Sequence, residues 1–190
     1  MTIAAVVLAA GAGSRFIASG GIGPKPLTEL RGVALVDHVL ATVRSAGFDE
    51  VVLVDGSTDL SDRAADHLVV LHNPAWQDGI ATSLQVALGH ARERGHEAVV
   101  VGLADQPGIT AAAWRSLADA APHPPLAVAT YEGRRANPVR LHESIWDLVP
   151  VTGDEGARGL MRDRPDLCGE VPCSGDHSDV DTAEDLKRWS

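Results

Sequence analysis

Three groups of residues in this chain have the types and spacing to handle a phosphorylated ligand. The first is Gly11-Ala12-Gly13-Ser14-Arg15, which follows the apolar run 3–8 directly, with Lys25 ten residues past the arginine. Glycines let main-chain N–H groups close around an anion with no Cβ in the way, and Arg15 and Lys25 add two positive charges. The second is Asp105, placed where the apolar run 98–103 ends at Ala104-Asp105-Gln106-Pro107. A carboxylate there can hold a magnesium ion, which takes oxygen ligands and uses one or two carboxylates beside phosphates and water. The third is Asp179-Val180-Asp181, where alternation along an extended segment turns both acids to one side and leaves Asp181 as the expected second metal ligand. Charge neutralisation and alignment of a reacting phosphate is the chemistry these groups could do.

Two familiar phosphate loops do not fit. The dinucleotide fingerprint needs a third glycine at position 16, which is Phe16, and an acid about 20 residues further on. The P-loop needs four residues between its glycines and then Gly-Lys-Ser/Thr, and Gly20-Gly21-Ile22-Gly23-Pro24-Lys25-Pro26 departs from that.

The elements that must position these groups read as alternating strands and helices. Runs 3–8, 50–54, 68–71 and 98–103 are apolar without a polar face, as expected of strands buried on both sides. Between them, helical spacing over 33–46 and 80–94 and a short helix near 61–66 predict a doubly wound α/β domain with a mostly parallel sheet. Ligands in such a sheet gather at the carboxyl ends of the strands, where the first loop and Asp105 both fall. The second half is less regular. A helix over 110–121 capped by Thr110, strands over 126–131 and 138–141, short helices over 144–148 and 156–164, a strand over 167–171 and a terminal helix from about 181 predict a small antiparallel addition. Thr182 with Asp185 three residues on departs from the capping box, which wants Glu or Gln there. The glycine-rich stretch 17–23 is longer than a tight turn requires and reads as a mobile lid.

A length of 190 residues fits one domain, read here as two halves, 1–109 and 110–190. The net charge of −10 argues against a nucleic-acid partner, which favours a basic stripe. It also means that an incoming triphosphate must be met by local cations. No apolar run approaches a membrane span and no signal peptide is evident, so a cytoplasmic protein is expected. Cys168 and Cys173 imply no disulfide framework and, alone, no zinc site. His67, His72, His90, His96 and His142 lack ligand spacing and read as structural or solvated. Of the four tryptophans only Trp76 falls in a motif.

Taken in order, Leu8-Ala9-Ala10-Gly11-x-Gly13-x-Arg15, Lys25, Asn73-x-x-Trp76-x-x-Gly79-x-x-x-Ser83, Ala104-Asp105-Gln106-Pro107, Gly153-Asp154-x-Gly156-Ala157-Arg158 and Asp179-Val180-Asp181-Thr182 resemble the molybdenum cofactor cytidylyltransferase branch of the nucleotidyltransferases. The resemblance covers nearly the whole chain and implies that family's Rossmann-like fold. It also implies transfer of CMP from CTP, with Mg2+, to the terminal phosphate of molybdenum-loaded molybdopterin, for delivery to a molybdenum hydroxylase. By resemblance, Leu8, Ala9, Ala10, Gly11, Gly13, Ser14, Arg15 and Lys25 would hold the triphosphate, and Asn73, Gly79 and Ser83 would lie near the base and ribose. Arg15, Lys25 and Asp105 would serve catalysis, Asp105 and Asp181 would hold the metal, and Gln106, Arg134, Asn137, Asp154 and Asp179 would face the acceptor. The family commonly has Gly-His-Pro where this chain has Ala136-Asn137-Pro138, and asparagine cannot carry histidine's charge. Two alternatives stay open: a guanylyltransferase using GTP, and a cofactor carrier without turnover.

Overall fold

A computed structural model describes residues 2–189. Its centre is β1 (Ile3–Leu8), buried from Ala4 onward and paired in parallel with β4 (Glu50–Asp55) on one side and β6 (Ala98–Leu103) on the other. With β5 (Leu68–His72), β7 (Leu126–Tyr131), β8 (Arg134–His142) and β9 (Cys168–Pro172), they form a seven-stranded sheet in the order β5-β4-β1-β6-β8-β7-β9. Only β8 runs antiparallel to its neighbours. Strands with no polar face need apolar cover on both sides. Here α2 (Leu35–Ser45) and α4 (Ala111–Ala118) pack Val36, Val39, Val43, Trp114 and Leu117 on one face. On the other face, α3 (Ile80–Arg94) and α5 (Ala157–Asp163) contribute Leu84, Leu88, Ala91 and Leu160, with Trp146 beside them.

Most of the predicted elements appear where the sequence places them. Gly95 ends α3 in the left-handed conformation, and Thr110 Oγ1 accepts the Ala113 N–H at 3.1 Å to cap α4. Residues 33–34 are a correction. They form β3 (Val33–Ala34), paired with β2 (Glu29–Leu30) in a two-stranded antiparallel sheet, so α2 starts two residues later than its spacing suggested. The stretch 17–23 also differs from a plain lid, because α1 (Ser14–Ala18) takes up its start. Beyond α1, Ser19 Oγ accepts the N–H of Ala183 at 2.9 Å, tying the loop to the first turn of α6 (Ala183–Trp189). No helix among the described residues is long and apolar enough to cross a membrane.

The hairpin β7–β8 parts from β6 at its upper end, while β7 stays paired with β9 as far as Thr130. Pairing of β6 with β8 stops at Val101 opposite Val139, and residues 134–136 continue upward paired with β7 alone. Between Val128 and Ala129 the β7–β8 register shifts, so Asn137 and Pro138 sit in a bulge. Bulges re-aim side chains next to functional sites.

At the amino end of the strands, buried Glu50 at the start of β4 accepts hydrogen bonds from His90 at 2.9 Å and His96 at 3.1 Å. Burial alone would raise the Glu50 carboxyl, but the bonds from His96 and His90 outweigh it and hold it below its ordinary 4.5. A depressed carboxyl stabilises the fold above its unfolded value and loses that contribution as pH falls through the lower folded value. The Glu50→Gln variant is therefore expected to melt lower than the wild type at pH 7, with the gap closing below about pH 4. Thermal melts across pH 3–7 read this directly, and a gap of constant size across that range would refute it.

Candidate active site

The carboxyl ends of β1 and β6 open into a cavity of about 540 Å³. Its floor is the first loop, where the chain leaves β1 without a side-chain cap. Gly13, at φ 64°, begins α1, and a Cβ there would meet Lys25 Cβ at 2.8 Å. The bare backbone thus lets the lysine stem pack beneath the loop. Leu8, Ala9, Ala10, Gly11, Gly13, Ser14, Arg15 and Lys25 all line this cavity, with Gly79, Ser83, Asp105 and Asp181 across from them.

The charges converge on one ammonium group. Lys25 Nζ donates to Asp105 Oδ2 at 2.6 Å and to Asp181 Oδ1 at 3.0 Å, and Arg15 Nη1 donates to Asp181 Oδ2 at 2.5 Å. Burial would lower the Lys25 pKa, but the Asp105 charge and the bonds to both carboxylates raise it above 10.5, so it stays charged. Asp105 is fixed through its main chain, whose carbonyl accepts the Val180 N–H at 2.9 Å. Val180 is fully buried against Leu30 and Leu35, which anchors the extended segment and leaves its acids facing the crevice. Thr182 and Asp185 then close a reciprocal cap. Asp185 Oδ2 accepts from Thr182 N at 2.9 Å and Thr182 Oγ1 accepts from Asp185 N at 3.1 Å, so aspartate fills the place where the box usually has Glu or Gln.

Asp105 and Asp181 suit a divalent cation. Asp105 Oδ1 is buried with no hydrogen-bond partner, an arrangement that costs free energy until something positive meets it. Among the described residues no third His, Cys, Asp or Glu joins them in a metal-binding group. Two carboxylates could hold a divalent cation only if other ligands, such as phosphate and water, complete its shell.

Asn73 does not reach the cavity wall. It is buried, donating to Thr82 Oγ1 at 2.8 Å and Ser83 Oγ at 2.9 Å and accepting from Ala75 N at 3.0 Å. Its place is beneath the wall, where it holds the turn 75–79 against the start of α3. Asn73→Ala is expected to cost about 1–3 kcal/mol, because buried polar groups lose their partner. Differential scanning calorimetry should show the loss of stability, and an unchanged melting temperature would contradict it. The wall itself is closed by an unexpected partner. Gly79, at φ 102°, lies against Gly153, whose carbonyl accepts from Ala81 N at 3.0 Å and whose N–H donates to Asp78 O at 2.8 Å. The late glycine-aspartate block is thereby laced onto the Asn73–Ser83 segment.

A second cavity of about 510 Å³ adjoins the first, sharing Leu8, Ile80, Leu103 and Asp154 with it. Its floor is apolar, with Leu84, Val101, Val128, Val139 and Met161. Its polar wall is a chain of hydrogen bonds. Asn137 Nδ2 donates to Gln106 Oε1 at 3.0 Å, and Gln106 Nε2 donates to Asp179 Oδ1 at 2.6 Å. Burial, then the nearby Asp105 charge, pushes the Asp179 carboxyl above its ordinary 3.8 against the Gln106 bond. Gln106, Asn137, Asp154 and Asp179 thus come together here, but Arg134 does not line either cavity. Its neighbour Arg135 does, paired with Glu170 at 2.7 Å. His177, stacked on Tyr131 at 5.0 Å, is a wall residue that the sequence did not single out, since no spacing signal marks it.

The profile of the MobA-like NTP transferase domain matches residues 5–168. Nicotine blue oxidoreductase of Paenarthrobacter nicotinovorans is 31% identical over 200 residues, spanning 98% of this chain and 95% of that protein. The crystal structure of Rv0371c from Mycobacterium tuberculosis superposes with a TM-score of 0.81 at 28% identity, covering 99% of this chain and 97% of that one. The same protein has been solved in complex with manganese, with a TM-score of 0.80 at 28% identity over 100% and 98% of the two chains. A nucleotidyl transferase from Methanothermobacter thermautotroptrophicus reaches a TM-score of 0.84 at 21% identity over 98% and 95%, a likeness of fold.

Proposed function

The chain belongs to the family of MobA-like NTP transferase domains, and from that premise we propose that it transfers CMP from CTP to the terminal phosphate of molybdenum-loaded molybdopterin, releasing pyrophosphate. The observation that carries this reading is the adjacency of two cavities beside the Arg15, Lys25, Asp105 and Asp181 cluster. One cavity has a glycine loop and cations for a triphosphate, and the other has an apolar floor and an amide-carboxylate wall for a flat, polar-edged acceptor.

A phosphate nucleophile is already anionic at neutral pH, so the site needs no strong general base. Lys25 and Arg15 neutralise the triphosphate as charge shifts toward the departing pyrophosphate, and the first loop fixes its direction of departure. Asp105 and Asp181 would hold Mg2+, which when bound supplies Lewis-acid neutralisation at the phosphates. The cavity wall from Trp76 to Ser83 is where cytosine would be told from guanine. Asp154, common to both cavities, stands where donor and acceptor would meet. A molybdenum hydroxylase would be the recipient of the product. The carrier alternative leaves the full set of paired charges without a task.

An oxidoreductase reading is drawn from the name of the Paenarthrobacter relative. It would need a bound electron donor, and Phe16 stands where the dinucleotide fingerprint has its third glycine. Two assays separate the readings: pyrophosphate release from each of the four triphosphates with Mg2+ and molybdenum-loaded molybdopterin, and NADH and NADPH consumption with nicotine blue supplied as the hydride acceptor. Release with CTP alone is the expected result. Release with GTP alone would move the base, and nicotinamide oxidation without any release would replace the reading.

A further inference from the structure

The Lys25 ammonium stands where a divalent cation would have to stand. It bridges one oxygen of Asp105 to one oxygen of Asp181, while Arg15 takes the other oxygen of Asp181. Two carboxylates face two cations, so the charges of Asp105 and Asp181 are already met by Lys25 and Arg15, and what is left to attract a metal ion is the weaker pull of Asp154 on the cavity wall and of Asp179 behind Gln106. The single oxygen left over, Asp105 Oδ1, is buried and unpartnered.

We propose that Lys25 is a placeholder that keeps the cation out of the free enzyme, so that metal and triphosphate enter together. This rests on the reading of the site as one for cation-assisted nucleotidyl transfer. The stem of Lys25 is pinned beneath the first loop at Gly13, so what can move is the end of the side chain. From that anchor Nζ has two kinds of anion within its arc: the carboxylates it now bridges, and phosphates lying on the loop that shares its cavity. A triphosphate brings several negative charges to the loop. The ammonium is drawn to them, both carboxylates are released, and the field around Asp105 and Asp181 becomes strongly negative. Only then is there a field to hold a divalent ion, and the ion also bridges to the phosphates that displaced the lysine. Binding is consequently cooperative in both directions, as linkage requires.

The test is Mn2+ binding to the full chain, read as the excess of Mn2+ on the protein side in equilibrium dialysis, without nucleotide and with the same saturating CTP on both sides. No acceptor is added, so no turnover enters the measurement. Lys25→Met keeps the packed stem and removes the charge. It is expected to bind Mn2+ at least about tenfold more tightly than the wild type without nucleotide, given the strength of one unit charge at contact distance. Adding CTP should tighten Mn2+ binding strongly in the wild type and little in the variant. Equal or weaker Mn2+ binding by Lys25→Met without nucleotide would overturn the proposal while leaving nucleotidyl transfer intact. No Mn2+ binding by either protein, even with CTP, would remove the cation site and the placeholder together. Should Lys25→Met fail to fold, Arg15→Gln frees the other oxygen of Asp181 at an exposed position. It is expected to strengthen nucleotide-free Mn2+ binding by about two- to threefold, and no gain there would equally count against the proposal.

Discussion

Replacing Asp105 by asparagine is expected to lower kcat for pyrophosphate release about 10²–10³-fold while leaving the melting temperature within a few degrees of wild type. The substitution preserves shape and one accepting oxygen, so Lys25 keeps a partner. The main-chain carbonyl that receives Val180 N–H is untouched, and with it the course of the 179–181 segment. What disappears is a unit of negative charge and the buried, unpartnered Oδ1. If that oxygen is where the cation binds, the rate falls because the departing pyrophosphate is less well neutralised. The loss should fall mainly on kcat, since Lys25, Arg15 and the loop still bind the triphosphate. A kcat within about threefold of wild type would show that Asp105 serves the fold alone.

The second large effect is expected at Gly79. A Cβ on this residue would stand 2.3 Å from the carbonyl carbon of Gly153 and 2.4 Å from its oxygen, at a φ of +102° that side chains rarely adopt. The neighbour cannot simply retreat. Its carbonyl is bonded to Ala81 N in the first turn of α3 and its N–H to Asp78 O, so moving it breaks the lacing between the two segments. Gly79→Ala should therefore destabilise the domain by about 2–4 kcal/mol, since backbone strain and a clash against main chain add. For a chain of this size that is roughly 5–15 °C in melting temperature. CTP affinity should fall with it, because Gly79 and Ser83 are wall residues of the first cavity. An unchanged melt would mean that the close approach of 79 and 153 is dispensable.

Much of this was legible in the sequence where one physical requirement dominates. Strands such as 98–103 must be buried on both faces, and α3 combines a helical apolar stripe with a glycine stop, so both were placed to the residue. The meeting of Gly11–Arg15 with Asp105 followed from strand ends sharing one edge of the sheet, whereas Lys25 and Asp181, which leave no strand directly, were expected there from the motif order and from alternation along 179–181. What escaped depends on short elements or on register. The β2–β3 hairpin has two residues per strand, too few for any periodicity, and its turn uses Arg31 in a left-handed conformation where glycine or asparagine is the usual signal. Asn73 and Ser83 belong to one motif, yet one is beneath the wall and the other on it, a distinction made by the turn that Asn73 itself ties. Arg134 and Arg135 are neighbours on a strand and point to opposite sides, and the bulge at Val128/Ala129 sets the register of that hairpin. Pro138, inside the bulge, is the residue type that marks an irregularity there, but it does not say which way the register shifts.

The lone antiparallel strand divides the crevice by origin. Most of the first cavity comes from segments that follow parallel strands and are tied into the core, Asp154 being the exception, so an insertion there would disturb the sheet. The opposing wall is partly the upper end of β8, which above Val139 is paired with β7 only and carries Asn137 on an irregular turn of the ladder. The exposed side chains Arg134 and Arg135 at the tip of that overhang can be exchanged with less consequence for folding than the loops of the first cavity, because β6 does not pair there. A lineage, or an engineer, could thus retarget this scaffold to a new phosphorylated partner by rewriting one hairpin, with the reaction itself carried forward unchanged.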